Sequence, residues 1–213
     1  GLQIGIVTGV QGMRWYDIVI EGQACHAGTT PMDVRRDPVQ ALGMIISRMQ
    51  AVAAAHAPLI RLTYGQCEFK PGSRNTVPER VTMSVDLRHP EQKLLDQVEA
   101  TLETVVAEAS AAARVQGSVR REWGAPPIDF APECIASVQR AADLLGYKNK
   151  KMVSGAGHDS VYVSRVAPTS MIFVPCEGGL SHNEMENARP EDLEAGCNVL
   201  LHAILDQAVL VPR

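Results

Sequence analysis

The chain has 213 residues, 46% of them apolar, and a formal net charge of −4; that is room for one large domain or two small ones, with enough apolar material for a real core. No run of one charge sign suggests a nucleic-acid or anionic-membrane partner, and no apolar stretch approaches the eighteen or so residues of a membrane span. Five scattered cysteines (Cys25, Cys67, Cys134, Cys176, Cys197) without a CxxC pair argue for a reducing cytoplasm and against a thiolate zinc site.

The chain opens Gly1-Leu2-Gln3-Ile4 without a methionine and without a signal peptide, so residues 1–9 read as the end of a preceding segment. Residues 15–21 alternate, Ile18 and Ile20 against Asp17, Val19 and Glu21, and predict a strand with one buried face. Gly22-Gln23-Ala24-Cys25-His26-Ala27-Gly28-Thr29-Thr30-Pro31-Met32 follows directly. Its small residues leave the His26 ring uncovered. A helix starts either at Thr29-Thr30-Pro31 or at Asp37-Pro38. Residues 39–57 carry Leu42, Ile45, Ile46 and Met49 at helical spacing, and Pro58 stops the helix. Residues 59–69 predict a strand, and Lys70-Pro71-Gly72-Ser73-Arg74-Asn75 a turn-rich loop. Val81, Met83, Val85 and Leu87 share one face of a further strand, ended by His89-Pro90. An alanine-rich helix over 94–113 and a last strand over 117–123 complete the series.

Strand, helix, strand, strand, helix, strand is the split βαβ order: a four-stranded, mostly antiparallel sheet with two helices on one face, here over residues 10–123. Gly124-Ala125-Pro126-Pro127 is the best boundary. Beyond it come a helix over 132–145 closed by Gly146, a strand at 151–153, the loop Ser154-Gly155-Ala156-Gly157-His158-Asp159, a helix to about 163, a strand over 170–174, a loop with Ser181-His182-Asn183-Glu184, and a helix over 193–209. Residues 124–213 therefore predict an incomplete layered α/β portion, in which two strands are too few to close a sheet without partners from elsewhere. The fold class is α/β overall, with an α+β first domain. The closing Leu210-Val211-Pro212-Arg213 matches an engineered protease site as well as a native end, and is kept out of this reading.

A histidine at a strand end near a helix start suits proton transfer or oxyanion stabilisation; the plain alternative is a turn-forming loop histidine. Asn75 and Arg88 lie on later segments expected to return beside it. Ser154-Gly155-Ala156-Gly157 joins a strand to a helix, so its backbone N–H groups and the helix dipole are suited to a carboxylate, or it is simply a tight turn. His182 is a reasonable metal ligand, although one ligand does not make a site.

Together, Gly22 to Met32, Arg74-Asn75-Thr76-Val77-Pro78, Asp86-Leu87-Arg88-His89-Pro90, Ser154 to Asp159 and the segment around His182 resemble, in order, motifs of the zinc-dependent amidohydrolases that include N-carbamoyl-L-amino-acid hydrolase, β-ureidopropionase and allantoate amidohydrolase. The resemblance covers nearly the whole chain; Cys25 stands where that family more often has asparagine. It implies that residues 10–123 are a lid and dimerisation domain and that 124–213 end a catalytic domain. It implies that His26 reaches across a homodimer to polarise the scissile carbonyl. It implies substrate binding by Asn75, by Arg88 as a bidentate partner of the substrate carboxylate, and by the backbone of Gly155 and Gly157. It implies His182 as the last ligand of two divalent metal ions (zinc, manganese, cobalt or nickel), whose other ligands and general base lie upstream of Gly1. The substrate class is a small ureido or carbamoyl acid, with no nucleic-acid or membrane partner. His26 and Arg88 are expected close together on the lid sheet. The competing readings are an isolated dimerisation module, inactive without the upstream ligands, and a peptidase or aminoacylase relative, against which the SGAGHD string argues.

Overall fold

The computed structural model describes residues 1–208; Val209 of the expected last helix and Leu210 to Arg213 lie outside the described residues. In chain order the elements are β1 (Ile4–Val10), β2 (Gly12–Glu21), β3 (Cys25–His26), α1 (Pro38–Ala55), β4 (Arg61–Thr63), β5 (Cys67–Lys70), β6 (Thr76–Val77), β7 (Arg80–His89), α2 (Gln92–Ala112), β8 (Gln116–Ala125), β9 (Ile128–Asp129), α3 (Pro132–Leu144), β10 (Asn149–Ser154), α4 (Ser160–Val163), β11 (Met171–Phe173) and α5 (Pro190–Gln207). They form two compact units, Gly12–Pro127 and a second made of Gly1–Gln11 with the chain from Ile128 onward.

The Gly12–Pro127 unit is an antiparallel sheet in the order β4–β7–β2–β8, with β5 following β4 along β7. Each βαβ pair brackets the other's first strand, which is the interleaved form of the split pattern. Alternation decides the faces. Tyr16, Ile18 and Ile20 of β2 and Val81, Met83, Val85 and Leu87 of β7 pack against α1 and α2. Fully burying side chains such as Ile18 and Ile20 is worth about 2 kcal/mol each. The opposite face carries Trp15, Asp17, Asp86 and Arg88 and is more open. The start of α1 lies at the second of the two expected places. Asp37 caps it by accepting from Val39 N at 2.9 Å and Pro38 fills the first turn, while Pro31 leads only into a 3₁₀ turn over Met32–Val34. The expected single strand over 59–69 is two pieces. Between Thr63↔Asp86 and Cys67↔Met83 the β4–β5 side holds one extra residue. Gln66 closes the gap, donating its N–H to Ser84 Oγ and accepting from Ser84 N.

One core-facing position on β2 is a cation. Arg14 is 2% exposed and reaches Asp96 and Glu99 of α2. Burial pushes the neighbouring Tyr16 phenol up to about 12, against the pull of Arg14.

The second unit is built on β1, which sequence reading had taken as the tail of something else. It lies between β10, parallel, and β11, antiparallel, and pairs at its end with β9. Being buried on both faces it shows no alternation, only the apolar run of a central strand. Ile4 and Ile6 pack with α3 and α5; Val7 and Val10 pack with Phe130 and Val161. Gly9 is there for a close approach: a Cβ at this position would sit 2.3 Å from the Ile128 carbonyl oxygen. So the chain itself supplies the sheet's middle strand. Among the described residues no helix is long and apolar enough to cross a membrane, and the five cysteines are unpaired.

Candidate functional site

After Glu21 the chain pairs again with the segment that leads into β7. Gly22 N donates to Glu79 O, Cys25 and His26 pair with Val77 and Thr76, and Ala27 N donates to Asn75 O at 2.9 Å. This short β3–β6 ladder sets His26 beside Asn75. Both are exposed.

The orientation of each side chain is fixed by local hydrogen bonds. His26 Nδ1 accepts from Gly28 N at 3.0 Å and from Thr29 N at 3.2 Å. A nitrogen accepting two N–H donors carries no proton of its own, so in the neutral ring the proton is on Nε2, which becomes a donor. The small residues on either side of His26 thus do more than uncover the ring, because their backbone turns under it. The Asn75 carboxamide oxygen accepts from Ser73 Oγ at 2.8 Å and from Thr76 Oγ1 at 3.5 Å, which turns its NH₂ outward as a second donor. Neutral donors of this kind suit an oxygen that gains negative charge during reaction.

Arg88 is not with them. It pairs with Met13 near the start of β2, whereas Arg80 pairs with Glu21 at the other end. Eight residues of strand separate Arg88 from Arg80, roughly 26 Å at the usual rise, and His26 lies beyond Arg80. The expected closeness of His26 and Arg88 on one sheet is therefore corrected: the ladder puts them at opposite ends. The Arg88 fork donates to Asp86 through Nε at 2.9 Å and Nη2 at 2.6 Å, and Asp86 also accepts from Trp15 Nε1 at 3.1 Å. Its bonds to Asp86 hold the Arg88 guanidinium charged above its ordinary range, against partial burial. Trp15 in turn packs on Trp123 with ring centres 5.0 Å apart. Asp86 was readable from sequence, since residues two apart on a strand share a face.

In the second unit, Gly155 and Gly157 follow β10 as expected, but α4 has four residues, too short to supply a useful dipole. The loop is instead tied by Ser154, whose buried Oγ lies 2.8 Å from His158 Nε2 and accepts from Ala156 N at 3.1 Å. His158 was not singled out by sequence. Neither glycine has a positive φ, and a Cβ on Gly155 would meet nothing nearer than 3.8 Å. His182 sits on an exposed loop at φ 56°, a left-handed conformation uncommon outside glycine, with its N–H given to Glu186 Oε2 at 2.8 Å. Among the described residues no three His, Cys, Asp or Glu side chains stand close enough to hold a metal ion. His182 alone does not fit a metal, which needs three or four ligands.

The model of peptidase family M20/M25/M40 matches residues 6–206. The chain is 40% identical to the N-carbamoyl-L-amino-acid amidohydrolase of Rhizobium meliloti, over 98% of this chain and 50% of that protein. It is 32% identical to the allantoate amidohydrolase of Bacillus subtilis, over 94% of this chain and 48% of that protein. The crystal structure of an amidase of the hydantoinase/carbamoylase family from Burkholderia multivorans is similar at a TM-score of 0.91 and 44% identity, over 96% of this chain and 50% of that one. The chain thus spans about half the length of the curated relatives it matches. On the match over residues 6–206, the chain belongs to peptidase family M20/M25/M40.

Proposed function

We propose that this chain is part of a homodimeric hydrolase that cleaves the carbamoyl C–N bond of an N-carbamoyl-L-amino acid. One observation carries the reading: His26 Nδ1 accepts two backbone N–H groups and leaves Nε2–H as an exposed donor, with Asn75 on the adjoining strand segment and Arg88 a strand's length away. Water adds to the carbamoyl carbon, the carbonyl oxygen becomes an oxyanion, and His26 and Asn75 donate to it. Collapse breaks the C–N bond as a proton from the added water passes to the amino-acid nitrogen, releasing the amino acid, and the carbamic acid left behind decomposes to ammonia and carbon dioxide. Activation of the water belongs to groups outside the described residues. His182 is one ligand of a divalent metal centre (zinc, manganese, cobalt or nickel, all of which take imidazole) completed by other residues of the full-length enzyme.

Arg88 binds the substrate carboxylate, held in position by Asp86. The absence of any conformational or packing need for a glycine at Gly155 supports a close approach by ligand there, with Gly157 in the same loop. An α-N-carbamoyl acid separates its carboxylate from its carbamoyl carbon by about three bonds, roughly 4 Å. One lid sheet cannot bring His26 and Arg88 to both ends of so short a molecule. Each active site therefore takes Arg88 from one subunit and His26 with Asn75 from the other. Unpaired cysteines support a cytoplasmic enzyme. A second reading, allantoate as substrate, is favoured by the Bacillus subtilis relative and uses the same ureido and carboxylate contacts.

Kinetics of single variants in the full-length enzyme test the roles. His26→Ala lowers kcat by roughly 10² to 10³, the range for one oxyanion donor. Arg88→Ala chiefly raises KM, because a carboxylate contact is made in ground and transition states alike. A His26→Ala enzyme with unchanged kcat overturns the assignment.

A further inference from the structure

The geometry points to Arg35 as the positioning residue that sets the tautomer of His26; this rests on the catalytic reading of His26 given above. Arg35 is half-buried and lies nine residues further along the chain. Its guanidinium spans the His26 loop, with Nη2 donating to Ala27 O at 2.6 Å and Nε to Thr30 O at 3.0 Å. The first of these matters most. Ala27 C=O and Gly28 N–H belong to one planar peptide, and that N–H is the donor to His26 Nδ1 at 3.0 Å. Holding the carbonyl on one side of the plane aims the N–H on the other, and a cation on the oxygen polarises the N–H into a stronger donor. The second bond fixes the far end of the same turn, whose Thr30 N donates to His26 O at 3.2 Å.

Arg35 is itself seated from behind. Arg114, just past the end of α2 and at φ 57°, donates to Asp33 O and to Arg35 O, the latter at 3.1 Å. The path from α2 to the catalytic ring is thus Arg114, the backbone of residues 33–35, the Arg35 fork, the Ala27–Gly28 peptide, and His26 Nδ1. Without Arg35 that peptide plane is free to turn, Nδ1 loses the nearer of its two backbone donors and keeps only Thr29 N at 3.2 Å, and part of the ring proton population moves from Nε2 to Nδ1.

The test uses ¹⁵N-histidine NMR on the 213-residue chain at pH 8.5, about two units above the ordinary histidine value, with the His26 signals assigned by their loss in His26→Ala. The native chain should show a protonated Nε2 and an accepting Nδ1. Arg35→Ala should show a mixture of both tautomers, with Arg35→Lys in between and its other histidine signals unmoved, which guards against simple misfolding. In the full-length enzyme Arg35→Ala should lower kcat about 10-fold or more with KM changed less than about 3-fold. A His26 ring that stays Nε2-protonated in Arg35→Ala and in Arg35→Lys overturns the inference. An altered tautomer alongside a His26→Ala enzyme of full activity instead leaves Arg35 in place and overturns the catalytic role of His26.

Discussion

Mixing two disabled subunits decides how the lid serves the active sites. Within one chain Arg88 pairs with Met13 and Arg80 with Glu21, so about 26 Å of strand lies between Arg88 and the end nearest His26. The proposed substrate, an α-N-carbamoyl acid, spans only roughly 4 Å between its carboxylate and its carbamoyl carbon. With His26 and Arg88 drawn from opposite subunits, a dimer of one His26→Ala subunit and one Arg88→Ala subunit has one site with both residues and one with neither. Random re-pairing of equal amounts makes half the dimers mixed, each with one working site of two. Activity should then recover to about a quarter of the native value. The assay is ammonia release from an N-carbamoyl amino acid held far below the KM of the Arg88→Ala enzyme, so that both parents are nearly inactive, before and after dissociation and re-pairing of the two variants, with each variant alone as control. If both residues served one site from one subunit, every site in the mixed dimer would lack one of them. Activity no higher than the mean of the two parents would refute the reasoning.

Other consequences are open to direct measurement. The 213-residue chain alone, with zinc or manganese added, should not hydrolyse N-carbamoyl amino acids, since among the described residues no three candidate ligand side chains come together around His182 or elsewhere; measurable turnover would contradict this. Arg14→Ala should destabilise the Gly12–Pro127 unit by about 3 kcal/mol, because Arg14 is 2% exposed beside two carboxylates. Both tryptophans, Trp15 and Trp123, lie in that unit, so urea unfolding followed by their fluorescence reads it selectively, and a loss under about 1 kcal/mol would count against a structural ion pair. Buried His89 accepts Glu91 N–H on Nδ1 at 3.0 Å, and burial pushes its pKa below the ordinary value. The fold favours the neutral ring, so this contribution is full above the unfolded value near 6.5 and is lost as pH falls through the lower folded one. The urea midpoint should drop between pH 7.5 and 5.5 by more in the native chain than in His89→Asn, whose amide oxygen replaces Nδ1; equal drops would refute it.

The elements with one wet face were legible. The alternation at Ile18 and Ile20, at Val81 to Leu87, and the helical spacing of Leu42, Ile45 and Met49 all mark residues now in one core. What escaped was decided by pairing rather than by local pattern. The apolar run Ile4–Val10 has no period because both its faces are covered. The break at residues 64–66 exists because one more residue is needed to keep register with β7. The segments carrying His26 and Asn75 do meet, through Ala27 N and Asn75 O, but Arg88 was not separable from them in sequence, since its distance depends on which end of β2 it pairs with. Arg35 left no signal at all, because its partners are backbone carbonyls that any residue would offer.

The ladder between β2 and β7, ten paired residues long, is a ruler. Its span is the spacing between Arg88 and the end of the sheet next to His26, and the pleat allows it to change only in discrete steps. Removing one residue from each strand would turn Arg88 from the open face into the core. Removing two from each would preserve every face and shorten the spacing by roughly 7 Å. A sheet of this build can therefore drift in sequence on its surface and in its helices, while the length of two strands fixes how far Arg88 stands from the His26 end.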